Sequence, residues 1–191
     1  LVLKLSLNED AVSKELMSYM QGLATLTDKL SVEIADDSSE APCVKICRAD
    51  GTFTGLAFHG VPGGHEFTSF VMGLYNAAGT GQELEEDLKK ALSPQCVAFF
   101  DLKEKIRSIH KAIDMKVLVT LSCTMCPELV MAAQKIASLN NSISAEVYDI
   151  NHFPSLKEKY NVMSVPCLVI NDGEGITFGK KNIRQLLEFL K

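Results

Sequence analysis

Nowhere does this 191-residue sequence run for the ~18 consecutive apolar residues that a membrane-spanning helix requires; stretches such as Val165 to Ile170 and Val117 to Val119 are far shorter. The expectation is a soluble chain with no membrane partner. Lysine and arginine never cluster densely, and with a net charge of -5 and a sequence pI of about 5.4 the chain offers no electrostatic footprint for nucleic acid. Its opening, Leu1-Val2-Leu3-Lys4-Leu5-Ser6-Leu7, lacks the basic lead and long apolar segment of a secretory signal. It also lacks an initiator methionine, so a chain that opens on a strand-like pattern reads as a fragment of something longer. Six cysteines are too few and too unevenly placed for a secreted disulfide framework, which points to a reducing cytoplasm. A second Cys-x-x-Cys and any His-x-x-x-His are missing, which leaves structural zinc short of four ligands. The dinucleotide fingerprint Gly-x-Gly-x-x-Gly is missing too.

What is present is apolar patterning: 47% of residues are hydrophobic, enough for one large core or two small ones. In the second half the periodicity predicts strand Lys116-Thr120, helix Pro127-Leu139, strand Ala145-Ile150, helix Ser155-Tyr160, strand Cys167-Ile170, strand Ile176-Phe178 and helix Lys181-Leu190. Leu129, Ala133 and Ile136 share one helix face, and Asn171-Asp172-Gly173 marks a turn that makes the last two strands an antiparallel hairpin. A parallel strand pair extended by a hairpin and covered by helices is a thioredoxin-like α/β arrangement.

The first half repeats the plan. Strand Val2-Leu7, helix Ala11-Leu26, strand Ser31-Ala35, hairpin strands Val44-Cys47 and Gly55-Phe58, and closing helix Glu66-Tyr75 follow in the same order. Ala41-Pro42-Cys43-Val44-Lys45-Ile46 matches Val165-Pro166-Cys167-Leu168-Val169-Ile170, the mark of an internal repeat. Glu83-Leu92 and Val97-Ile113 read as connecting helices. The fold class expected is α/β, two tandem thioredoxin-like folds, each a central mixed β-sheet flanked by helices. Residues 1–95 form a redox-silent copy without Cys-x-x-Cys, and residues 96–191 carry a connecting helix and the active copy.

The chemistry concentrates in Cys123-Thr124-Met125-Cys126, between a predicted strand and a predicted helix. Cysteines three apart at a helix start have Cβ atoms ~5–6 Å apart and can pair. Unpaired N–H groups and the positive end of the helix dipole stabilise a thiolate there, which makes Cys123 the expected nucleophile. Cys126, one turn inside the helix beside Pro127, is the expected resolving thiol. A cis Pro166 at the start of the third strand of the unit would turn its neighbour's backbone towards the pair.

These residues resemble the N-terminal domain of the alkyl hydroperoxide reductase flavoprotein subunit, which carries two tandem thioredoxin-like folds. The resemblance covers nearly the whole chain. Its specific pieces are Gly63-Gly64-His65-Glu66-Phe67-Thr68-Ser69, Cys123-x-x-Cys126-Pro127 and Asn161-Val162-Met163-x-Val165-Pro166. It implies a thiol-disulfide oxidoreductase module that takes electrons from a flavoprotein reductase domain's dithiol and reduces the disulfide of a peroxiredoxin or another protein. FAD and NAD(P)H are then expected on a fused or partner domain and not on this chain. It also implies that Glu66 reaches from the silent copy towards the dithiol and tunes it; a first-turn acid complementing its own helix dipole is the competing reading.

Other candidates carry blander expectations. Cys43 and Cys47, about 13 Å apart along a strand, are packing residues; Cys96 is a bystander. Cys167 is either a third thiol near Cys123 or a small apolar strand residue. His65, next to Glu66, either marks a helix start or contributes protons, whereas His59, His110 and His152 have no partners evident in sequence. Two rival functions stay open: a general disulfide oxidoreductase or isomerase, and an adaptor that docks partners through the silent copy.

Overall fold

Leu3 and Leu5 are fully buried while Lys4 between them is exposed, the two-residue alternation of a strand with one face on a core. That strand, β1 (Val2–Ser6), opens a computed structural model that describes residues 1–79, 81 and 100–190. The order continues as α1 (Ala11–Ala24), β2 (Ser31–Ile34), β3 (Cys43–Cys47), β4 (Phe53–His59) and α2 (Glu66–Ala77). After it come α3 (Phe100–Arg107), β5 (Ile113–Val119), α4 (Cys126–Leu139), β6 (Ile143–Asp149), α5 (Pro154–Lys159), β7 (Cys167–Ile170), β8 (Gly175–Phe178) and α6 (Ile183–Phe189).

The eight strands of the described residues belong to one sheet in the order β2-β1-β3-β4-β6-β5-β7-β8. The repeat is visible in that order. In the first copy β1 pairs β2 in parallel and β3 antiparallel, and β3 pairs β4 antiparallel; β5, β6, β7 and β8 reproduce those three pairings. The copies are joined by parallel pairing of β4 with β6, from Leu56 opposite Ala145 to His59 opposite Tyr148.

The joined sheet has one large core on one face, running from Leu3, Leu16 and Phe58 through Leu129, Ile136 and Val147 to Leu186. Leu129, Ala133 and Ile136 lie together on the buried side of α4, as their spacing predicts. Alternation sends Leu118, Tyr148, Cys167 and Val169 to the other face, where they pack with Tyr160 and Val162 and with Phe153 and Leu156 at α5. Among the described residues no helix is long and apolar enough to cross a membrane.

Three expectations change. The connecting helix predicted over Val97-Ile113 is helical only from Phe100 to Arg107 within the described residues, and Ile113 already belongs to β5. The helix stops where the Asn140 side chain donates to the carbonyls of Ile106 and Ile109, at 2.7 and 2.8 Å, satisfying acceptors that another turn would have used. β5 and β6 each begin earlier than predicted, at Ile113 and Ile143, because polar Asp114 and Ser144 interrupt the apolar pattern there; the Ser144 hydroxyl donates to the Asp114 carboxylate at 2.9 Å. Helix Glu83-Leu92, Cys96 and the copy boundary near 95 lie outside the described residues.

Candidate active site

Strand β5 ends at Val119 and the chain turns through Thr120–Met125 into α4, with the Cys123 N–H donating to the Thr120 carbonyl at 3.0 Å. Pro127 occupies the first turn of α4, where a missing N–H is harmless, and no side chain caps that end. Cys123 and Cys126 are joined in a disulfide with their Cα atoms 5.5 Å apart. The two sulfurs are unequal: Cys126 is fully buried in the large core, while Cys123 is half-buried at its rim, next to exposed Thr124 and Met125. A thiolate released at Cys123 would face the uncapped helix end, the environment that lowers a thiol pKa.

The Val165–Pro166 peptide is cis, and Pro166 precedes Cys167, which pairs with Leu118 near the end of β5. The Pro166 carbonyl accepts from the Gly179 N–H at 2.9 Å, while Val165 packs on the same core rim as Cys123. The first copy keeps this frame. Ala41–Pro42 is cis, and the Pro42 carbonyl accepts from the Gly60 N–H at 2.8 Å. Where the second copy has sulfurs, however, the first has Asp10 capping α1, its carboxylate accepting from the Ser13 N–H at 2.6 Å. That backbone bond holds the Asp10 carboxyl below its ordinary pKa.

Glu66, the first residue of α2, is completely buried. Its Oε2 accepts from the Ser69 hydroxyl, and its Oε1 has no hydrogen-bond partner. Burial pushes its pKa up to about 7 against the lowering effect of Ser69. A carboxyl so placed is close to half-neutral at neutral pH, unlike a solvated acid that complements its own helix. The start of α2 meets the dithiol loop directly: the His65 N–H donates to the Leu121 carbonyl, two residues before Cys123, at 3.0 Å.

The remaining candidates separate. Cys167 packs on the opposite face of the sheet from Cys126, and burial pushes its thiol up to about 11, so it is a strand packing residue and not a third thiol beside Cys123. Cys43 and Cys47 are buried free cysteines, the former raised by burial. His65 is exposed and makes no capping bond.

His59 does have partners. Its Nε2 lies 2.8 Å from Glu146 Oε2 and 3.7 Å from Cys43 Sγ, and its ring stacks on Tyr148 with centroids 3.8 Å apart. His152 likewise stands 3.8 Å from the buried Asp149 carboxylate. The His59 pairing carries no local signal, because both of its contacts to the second copy depend on β4 lying beside β6, whereas His152 and Asp149 stand three residues apart, a spacing readable in the sequence. Among the described residues no group of three His, Cys, Asp or Glu is arranged to hold a metal ion.

Known proteins agree with this geometry. A thioredoxin-domain family profile matches residues 113–190, the second copy. The alkyl hydroperoxide reductase protein AhpF of Pseudomonas aeruginosa is 30% identical over 182 residues, 95% of this chain and 32% of that protein. A protein of Bacillus subtilis named NADH dehydrogenase is 28% identical over 98% of the chain and 33% of its own length. The chain thus spans about a third of the length of the curated relatives it matches. The solved N-terminal N/C domain of alkylhydroperoxide reductase AhpF from Enterococcus faecalis is 33% identical, covers 100% of this chain and 90% of that one, and superposes with a TM-score of 0.84. Matched on both sheet halves and in sequence, the chain belongs to the family of the tandem thioredoxin-like N-terminal domain of the alkyl hydroperoxide reductase protein AhpF.

Proposed function

We propose that this chain is the dithiol relay of an alkyl hydroperoxide reductase system, passing two electrons from a flavoprotein reductase dithiol to a protein disulfide, that of a peroxiredoxin. The observation that carries the reading is the asymmetric Cys123–Cys126 disulfide at the uncapped start of α4. In the reduced chain the Cys123 thiolate attacks one sulfur of the acceptor disulfide, forming a mixed disulfide and expelling the other sulfur as a thiolate. Cys126, deprotonated in turn, attacks Cys123 Sγ and expels the second acceptor thiolate. Cys123 and Cys126 are thereby oxidised by two electrons, the acceptor is reduced by two, and two protons end on its thiols. The donor dithiol reverses the sequence on the module. Residues 1–95 are the redox-silent copy and 96–191 the active one.

FAD and NAD(P)H belong to the donor, on a fused or a partner domain. The turns that follow β1 and β5, where an α/β protein would cradle a dinucleotide's phosphates, carry an aspartate cap and a disulfide in place of a glycine-rich loop, so these residues do not fit either group. A reducing cytoplasm suits a cycling dithiol beside the buried free thiols of Cys43, Cys47 and Cys167.

The test is electron transfer from the flavoprotein reductase to a peroxiredoxin, followed as hydroperoxide-dependent NAD(P)H oxidation, with the wild-type chain and Cys123→Ser. The variant is expected to lose transfer completely; transfer that survives it would overturn the relay. A reduction potential near about -270 mV would mark a reductase, and one near about -120 mV a protein oxidant.

A further inference from the structure

The silent copy touches the dithiol loop at one backbone corner. Gly64 has φ +55°, and a Cβ built on it would stand 2.5 Å from the Leu121 carbonyl oxygen and 3.2 Å from Leu121 Cβ. Next to it, the His65 N–H donates to that same carbonyl at 3.0 Å. Leu121 is the second residue of the turn that delivers Cys123, and the Cys123 N–H bonds back to Thr120, so the carbonyl lies inside the loop whose shape sets the sulfur's place. The corner is itself braced. Tyr19 of α1 donates its hydroxyl to the Pro62 carbonyl at 3.1 Å, and the Glu66 N–H donates to the Gly63 carbonyl at 3.0 Å. A line of contacts therefore runs from α1, the helix whose copy carries no Cys-x-x-Cys, through Pro62–His65 to Leu121.

We propose that the Gly64–His65 corner is a positioning element for the dithiol, holding the Leu121 carbonyl so that Cys123 faces the start of α4. The inference rests on the relay reading only in taking Cys123–Cys126 as the working pair. Two demands fall on residue 64: a left-handed backbone, which asparagine also tolerates, and no atom at the Cβ position, which only glycine meets. Strain alone and loop displacement are therefore separable by substitution. Thioredoxin-type exchange depends on sulfur placement, and displacements of about 1 Å in such sites cost on the order of a hundredfold in rate.

The experiment uses the whole chain, with reduction potential from equilibration against a thiol–disulfide buffer and the Cys123 thiolate read against pH by ultraviolet absorption. The wild-type chain must cycle between disulfide and dithiol; if it does not, the relay reading itself has failed. Given cycling, Gly64→Ala and Gly64→Asn are both expected to change the dithiol–disulfide equilibrium about tenfold, about 30 mV for two electrons, and to shift the thiolate titration. Gly63→Ala, whose Cβ would meet nothing closer than 4.0 Å, is expected to match wild type. Folded Gly64→Ala and Gly64→Asn with wild-type potential and titration would overturn the proposal, as would a shift in Gly64→Ala absent from Gly64→Asn, since that is backbone strain without displacement. Should both variants fail to fold, Tyr19→Phe decides: it loosens the brace without touching the loop, and a potential and titration identical to wild type would overturn the proposal.

Discussion

At the scale of single residues, chemistry and stability pull Glu66 in opposite directions. Its carboxyl is neutral in the folded chain up to about pH 7, whereas in the unfolded chain it ionises near the ordinary value of 4.5. A folded pKa above the unfolded one means that the native state holds the proton longer, so stability falls as pH rises from about 4.5 to 7 and is level beyond. Chemical denaturation of wild type should lose ~3 kcal/mol relative to Glu66→Gln across that window, an order-of-magnitude figure from the size of the shift. If the two curves run parallel, the carboxyl is not buried as described. Glu66→Ala should also move the Cys123 thiolate titration, whereas a role confined to its own helix leaves the titration unchanged. For the pair itself, Cys126→Ser should stop after the first exchange and accumulate a mixed disulfide with the acceptor, visible on a non-reducing gel, because the remaining Cys123 has no neighbouring resolving thiol to release it.

Secondary-structure elements explain which parts of the design were legible in the sequence. The Cys123–Cys126 pair, the helix it opens and the β7–β8 hairpin were readable because each has a local signal: three-residue spacing, a 3.6-residue apolar period and Asn171-Asp172-Gly173. The starts of β5 and β6 were not, because Asp114 and Ser144 look like loop residues until the Ser144 hydroxyl is seen donating to the Asp114 carboxylate across the paired strands. The end of α3 escaped as well, since its stop signal, Asn140, lies more than thirty residues downstream. Asn140→Ala should therefore cost about 2–3 kcal/mol by stranding two carbonyls, read as a lower denaturation midpoint. Asp10→Ala should cost only about 1 kcal/mol as a lost helix cap, and should leave the reduction potential untouched. A changed potential would mean that the first copy's helix start contributes to the chemistry.

Across the whole molecule the two copies share a sheet and a core, so they should behave as one folding unit. Calorimetric and van't Hoff enthalpies of unfolding are expected to agree; two resolved transitions would show that the β4–β6 junction is weaker than its shared core implies. Within that junction burial raises the Glu146 pKa, but the His59 and Tyr148 hydrogen bonds and the nearby Lys116 charge outweigh it and hold the carboxyl below its usual range. A depressed folded pKa contributes stability above the unfolded value that is lost as pH falls through the folded one. Glu146→Gln should accordingly flatten acid unfolding below about pH 4.5. The two carboxyls thus set opposite slopes on either side of that pH.

Strand directions carry one more consequence. Because β1 runs antiparallel to β3, β3 antiparallel to β4, and β4 parallel to β6 and β5, the helices α1 and α4 both start at the same end of the sheet. β1 and β5 stand four strand positions apart, roughly 19 Å at the usual spacing. The molecule therefore presents two sockets side by side and facing the same way, one wired with sulfur and one blanked with a carboxylate. Disulfide exchange is therefore confined to the socket at the end of β5.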